Sequence, residues 1–491
     1  MRQTSELFEL IKSMDKNEKR YFRLQSLLQK GNKNYLKLFN AIDKQKIYNE
    51  GKIKERYKDE KFVRQYAFTK NYLYNLIIKS LINYRREKSI DSRIHSAISE
   101  CKILFSKALY SQYFHKISKA KQLCLKYERF GYFLQILDME KIIIKKEEVQ
   151  TLKANAIYNE ALSALEKLKN MFEYSRLASM LLHNYRAYGT RRNEKQDEEI
   201  DKILSSPIMS KTENALCDRS KESYHRINEI IYNTTADYKK MLESLEMRYN
   251  IVNNNPHPFE DYIIDYPIDI LSSLVNAYLK YNDLEEAEKY LKIYEYLKTR
   301  NEADRVDSEI FATFMRFQIY IKKDEISKAS KLIPKLEGFL VKYKNKLLID
   351  TELSAMFHIV KCRILEKNFD KALNAANLLI VHPFLEKRAD YESYLKIMNL
   401  IIHFELKNYP LLKYLIISTY RFLYNKEKLY RVETLMLKFI RKLPEVKNDS
   451  DLIYTFIQFK KELVKLKNNE YEKNAFEYFD FLKWVEEKIP A

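Results

Sequence analysis

At 491 residues the chain has room for about three globular domains of roughly 150 residues each, or for one elongated solenoid that never closes a spherical core. It holds only 5 Gly and 9 Pro, residues that together make up about 12% of a typical chain. That scarcity excludes glycine-rich phosphate-cradling loops, dinucleotide folds and hairpin-dense β architectures, and leaves a mostly helical chain. The formal charge of +20 attracts polyanions in principle, and the first 200 residues hold +17 of it, from 41 basic and 24 acidic side chains, so a polyanion site belongs in the N-terminal part.

From residue 5 to about 90 apolar residues recur three and four apart, which predicts short helices. Leu7, Leu10, Ile11 and Met14 mark the first. Asp15 and Glu18 have the spacing of a capping box that starts a second helix through Tyr21, Phe22, Leu24, Leu27 and Leu28, with Gly31 and Asn32 as its stop. Two further helices are predicted over Tyr35–Tyr48 and Lys61–Tyr84. Glu6 and Glu9 interrupt the start where a secretion signal needs an apolar run. Cys101, Cys124, Cys217 and Cys362 lie far apart, without a Cys-x-x-Cys, as expected of reduced thiols in the cytoplasm. No apolar run approaches the roughly 18 residues that span a bilayer, so a soluble protein with no membrane partner is expected.

Residues 92 to 188 read as long amphipathic helices in antiparallel pairs, broken near Tyr110, Gly131 and 145–151, and a further helical region runs to Tyr249. A charged break is expected over Gly189–Asp201 and another around Pro207. Asn250 to Pro267 holds an Asn run and three of the 9 prolines, which reads as a boundary where a cut at Asn253 enters no helix. Three parts are therefore expected: a basic helical domain over 1–90, helical hairpins over 92–249, and repeats with capping helices over 268–491.

After Pro267 the chain repeats itself. LSSLVNAYLKYNDLEEAEKYLKIYEYL around Ala287 returns as FMRFQIYIKKDEISKASKLIPKL around Ala329 and as MFHIVKCRILEKNFDKALNAANLLIVHP around Ala372, at spacings of 42 and 43 residues. A fourth copy, FELKNYPLLKYLII, follows 40 residues on, with Leu412 in the alanine's place and Pro410 at the helix start. The unit is two helices with a short turn and a small residue early in the second. It resembles the tetratricopeptide repeat, although it is longer than the usual 34 residues or so and Arg363 replaces the helix Tyr in the third copy. The whole chain is similar to bacterial helical-repeat proteins of that class to which no activity is attached. An earlier hairpin around Tyr110, with Tyr113 at the small-residue place, puts the start of the solenoid near residue 95, and Val432–Val485 reads as a terminal helix pair with a longer final helix.

The resemblance implies an all-α solenoid of antiparallel helix hairpins whose first helices line a concave, partner-binding face. The exposed positions there would be Asn276, Lys280, Gln318, Lys322 and Lys361. The Lys/Asn/Arg pattern with which such repeats clamp a C-terminal carboxylate is not reproduced, since Ser272, Met315, Ser354 and His358 stand at several of its places. No catalytic, cofactor-binding or metal residue is assigned: no nucleophile elbow or Walker loop is present, and His358 with Cys362, four apart on one helix face, reads as core packing rather than a metal site. His95, Cys101, His115 and Cys124 form a looser set with the same reading. The expectation is a non-enzymatic scaffold with a protein or peptide partner. The alternative is nucleic-acid binding through KNEKRYFR (16–23), KERYKDEKFVRQYAFTKNY (54–72) and NYRREK (83–88), where aromatics interleave with cations.

Overall fold

The computed structural model describes residues 5–28, 34–85, 89–142, 151–260, 266–297, 302–344, 347–446 and 448–490. The fold is all-α, built as a solenoid of helix hairpins, with no β-strand among the described residues. Its contacts divide into two compact units, Met1–Ala161 with Glu260–Tyr262, and Leu162–Phe259 with Ile263–Ala491. No helix among the described residues is long and apolar enough to cross a membrane.

In the first unit α1 (Glu6–Ser13), α2 (Lys16–Leu28) and α3 (Asn34–Lys44) pack around α6 (Tyr66–Arg85). Leu7, Ile11, Phe22, Leu38, Phe39, Ile42, Leu73 and Ile77 fill the space between them. The capping box forms as its spacing requires: Asp15 Oδ1 accepts the Glu18 N–H at 2.8 Å, and Glu18 Oε2 accepts the Asp15 N–H at 3.0 Å. Two short helices, α4 (Glu50–Arg56) and α5 (Lys61–Arg64), connect α3 to α6; α4 escaped the periodicity because seven residues hold too few apolar positions to show a period. The stop at Gly31 and Asn32 lies outside the described residues, as does the break at 145–150. Next come α7 (Ile90–Ser106), α8 (Tyr110–Lys126) and α9 (Phe130–Glu140), in which neighbours pack pairwise.

The long helix α10 (Thr151–Tyr188) leads into the second unit, followed by α11 (Glu194–Leu204). The hairpins are α12 (Asp218–Thr234) with α13 (Tyr238–Asn254), α14 (Tyr266–Tyr281) with α15 (Leu284–Tyr296), α16 (Glu302–Lys322) with α17 (Ile326–Lys342), α18 (Ile349–Leu365) with α19 (Phe369–Ile380), and α20 (Ala389–Glu405) with α21 (Tyr409–Asn425). Then come α22 (Arg431–Lys442), α23 (Asp449–Lys467), a 3-10 turn over Glu472–Glu477 and α24 (Phe481–Glu486). Three sequence readings change here. The break after Gly189 ends at Asn193, whose side chain caps α11 by accepting the Gln196 N–H at 3.0 Å. Helix α13 runs on through the Asn run to Asn254, held by buried Val252, so a cut at Asn253 does enter a helix. The last long helix stops at Lys467, and the chain beyond it turns back instead of continuing.

One device recurs at the turns. Ala108, Glu128, Ala236, Asn282, Asp324, Lys367, Lys407 and Glu427 all have φ between 51° and 68°. At each, the next N–H reaches back to a carbonyl five residues earlier, as from Asp283 to Tyr278 at 3.0 Å and from Asn408 to His403 at 2.9 Å. This is the Schellman closure, which satisfies carbonyls the helix end leaves bare. Five residues after each left-handed residue stands a buried side chain: Tyr113, Phe133, Met241, Ala287, Ala329, Ala372, Leu412 and Val432. The constant feature is therefore burial at a fixed distance from the turn, not smallness, and α12–α13 belongs to the series although its Met241 hides it. Glycine fills none of these turns, so each carries the steric cost of a left-handed side chain, roughly 1 kcal/mol. Lys407 is exposed. Replacing it with glycine is expected to raise the stability of the second unit by about 1 kcal/mol or less, read as a higher urea midpoint; a lower midpoint would show that the turn is not strained.

Candidate functional site

The first helices α14, α16, α18 and α20 pack side by side in succession, whereas the second helices approach one another more sparsely. Side chains on the free face of the first helices therefore share one inner surface. Asn276 and Lys280 stand one turn apart on α14, Gln318 and Lys322 one turn apart on α16, and Ser354, His358 and Lys361 on α18. Lys322 is exposed and the other four predicted positions are half-buried. Asn276 and Gln318 have no hydrogen-bond partner among the described residues, while Lys280 Nζ donates to Asn233 Oδ1 at 2.6 Å and lies 5.7 Å from the Tyr238 ring centre.

Electrostatics shows that these groups feel one another. Burial, then the charge of Lys322, pulls the Lys361 amine down to about 8, against the opposing pull of Glu477 and Asp480. Burial, then Lys361, with Arg388 and Lys280 behind it, holds His358 down at about 3, and the bond to the Ser354 carbonyl opposes this only partly. His358 is thus neutral, with Nδ1 2.8 Å from that carbonyl and its ring edge-on to Phe314 and Phe357.

The carboxylates of Glu477 and Asp480 arrive from the C-terminal segment. Tyr478 stacks on Tyr394 with ring centres 4.2 Å apart, and its hydroxyl accepts the Thr190 N–H at 3.2 Å. Gly189, at φ +74°, passes so close that an added Cβ would lie 2.2 Å from the Tyr478 oxygen, so glycine is required there. Farther on, Trp484 Nε1 and Lys488 Nζ donate to the two oxygens of Glu405 at 2.7 Å, Lys367 pairs with Glu487 at 3.1 Å, and Lys483 pairs with Asp324. The segment is fixed along the turns that close α16, α18 and α20.

Beneath it lies a buried ion cluster. Arg192, 5% exposed, makes a forked contact with Glu433 at 2.9 and 3.0 Å and a second with Glu472 at 2.9 Å, and also donates to the Tyr394 hydroxyl. Tyr394 donates to Glu433 at 2.8 Å, and the Tyr430 ring covers the guanidinium at 4.5 Å. Glu472 also accepts the N–H groups of Arg431 and Val432, capping α22. Lys428, pulled down to about 8 chiefly by burial, donates to the Ala187 carbonyl at 2.8 Å near the end of α10. In sequence, Arg192 falls within Gly189–Asp201, which reads as a charged break.

No protein-family model matches the chain, and no curated protein does. Among solved structures it is similar to a Rap protein in the crystal structure titled as complexed with competence and sporulation factor. That similarity has a TM-score of 0.43 and 10% identity, over 81% of this chain and 98% of that chain.

The remaining sequence candidates separate by environment. Cys362 is fully buried, and burial pushes its thiol up to about 12. Among the described residues no three His, Cys, Asp or Glu side chains converge as a metal site would require. Cys101 and Cys124 are both buried, on α7 and α8, and His95 bonds the Tyr132 hydroxyl at 2.9 Å. In the first unit Lys19 and Arg23 both pair with Asp43, Lys37 with Glu60, and Lys54 and Lys70 with Glu50. Phe22 and Leu73 are core, while Phe68 and Tyr72 are exposed. Residues 86–88 of the third basic stretch lie outside the described residues.

Proposed function

We propose that the chain is a non-enzymatic interaction scaffold that receives a segment of a protein partner along the inner face of its first helices, through Asn276, Lys280, Gln318, Lys322 and Lys361. The observation that carries this reading is the set of three lysines from consecutive hairpins, none in an ion pair among the described residues, crowded enough that Lys322 helps to lower the Lys361 pKa. A partner's carboxylates relieve that repulsion, and the unpartnered amides of Asn276 and Gln318 offer both donor and acceptor to a peptide backbone. Amines and amides left without partners among the described residues support a binding role for this face.

Tagged full-length protein recovered from its host's lysate after nuclease treatment is expected to retain a defined protein. A Lys322→Glu, Lys361→Gln variant is expected to retain less than about a tenth of it, as the loss of two charge-assisted contacts implies, with an unchanged helical circular dichroism spectrum. Equal retention by the variant would refute the groove. Loss of every partner on nuclease treatment would shift function to the basic residues 1–90.

A further inference from the structure

At one end of the inner face, still within the second unit, lies an open recess of about 580 Å³ whose wall brings together cations from four separate parts of the chain: Arg191, Lys239, Lys280 and Lys473. We infer that this recess is a binding site for the phosphate group of a small molecule. Asp237 is the one carboxylate in its lining, and it is already engaged, accepting the Lys240 backbone N–H at 3.3 Å and pairing with the Lys240 amine at 3.3 Å. Lys239 and Lys473 are exposed and make no ion pair among the described residues, and Lys280 bonds only the neutral amide of Asn233. Arg191 is matched through its terminal nitrogens by Asp197 at 3.0 Å and Glu470 at 2.5 Å, but its Nε–H is shielded with no acceptor.

The wall thus has a surplus of positive charge, and the shielded Arg191 Nε–H left unpaired carries a cost. A single carboxylate has one charge to set against three uncompensated lysines. A phosphate group has up to two charges and three terminal oxygens, one for each ammonium. The Tyr281 hydroxyl adds a neutral donor to the lining. Because Lys473 belongs to the C-terminal segment, an occupied recess also tethers that segment to the α12–α13 turn.

This inference does not depend on the groove reading, and its variants use different residues. Full-length protein is titrated with inorganic phosphate and with inorganic pyrophosphate at constant ionic strength, by calorimetry and by thermal melting. Saturable binding of either anion at one site per chain is expected, and tighter binding of pyrophosphate would assign a diphosphate rather than a monophosphate group. A Lys239→Ala, Lys473→Ala variant, altered only at exposed side chains, is expected to bind at least about tenfold more weakly. A Lys331→Ala, Lys371→Ala variant, with the same loss of charge elsewhere, is expected to bind like the wild type. Non-saturable heats, or equal weakening in both variants, would overturn the site in favour of general charge screening.

Discussion

Replacing Arg192 with alanine is expected to lower the stability of the second unit by about 3–5 kcal/mol, because it leaves Glu433 and Glu472 buried and facing each other without a counter-charge. Both carboxylates are at most 5% exposed, so water cannot take over the lost contacts. The loss is also expected to be local at first. Glu472 and Asn474 tie the C-terminal segment to the loop at Arg191 and Arg192, and that segment carries the only tryptophan of the chain, Trp484, 6% exposed. The variant should therefore show red-shifted tryptophan emission and faster amide exchange over 470–488 at denaturant concentrations where helix content is intact. Wild-type emission together with a wild-type urea midpoint would show that the cluster contributes nothing net. An Arg192→Met, Glu433→Gln double variant separates charge from packing: it should recover part of the loss, since fewer unpaired charges stay buried.

Arg248→Ala is expected to be as costly, about 3–5 kcal/mol, and its partner Glu229 gives the cluster a pH signature. Arg248, 1% exposed, faces Glu222, Glu229 and Asp269, with distances of 2.6 Å to Glu222 and 2.7 Å to Asp269. Even with Arg226 3.9 Å from Asp269, two guanidiniums face three carboxylates. Burial raises the Glu229 carboxyl above its ordinary 4.5 despite Arg248, while Asp269 is held low by Arg248 and Arg226 against the opposing effect of its own burial. A carboxyl raised in the folded state contributes stability that is fully present below 4.5 and is lost as pH rises through its folded value. Glu229→Gln keeps the shape and removes that loss. It is expected to lie within about 1 kcal/mol of the wild type in acid and to gain on it as pH rises above 4.5. A difference that is flat with pH would mean that Glu229 ionises freely.

The repeat was legible because its apolar spacing and its alanines are local signals, and so were the capping box and the Asn-Asp turn at 282–283. The α12–α13 hairpin fell within the hairpins expected over 92–249, but its membership of the repeat series was hidden because Met241 breaks the small-residue pattern while keeping the buried place. The break after Gly189 was misjudged because charge is a poor guide to exposure when the partners are remote: nothing near Arg192 in sequence announces Glu433 or Glu472. Lys280, Lys322 and Lys361 could be placed on one face by repeat arithmetic. Arg191, Lys239 and Lys473 could not, because their recess is assembled from a loop, a turn and the C-terminal segment, none of which repeats.

The separation of 241 and 280 positions between Arg192 and its two carboxylates also governs how the protein is made. Stacked hairpins can form one after another as the ribosome delivers them, each resting on its neighbour. The Arg192 guanidinium has no carboxylate partner until residues 433 and 472 emerge, so a chain elongated only as far as α21 carries that buried charge uncompensated. Closure is a late, long-range event, slow relative to hairpin growth. A nascent chain stalled short of Glu472 should therefore be helical yet sticky, which makes the C-terminal segment the step at which chaperones have most to gain.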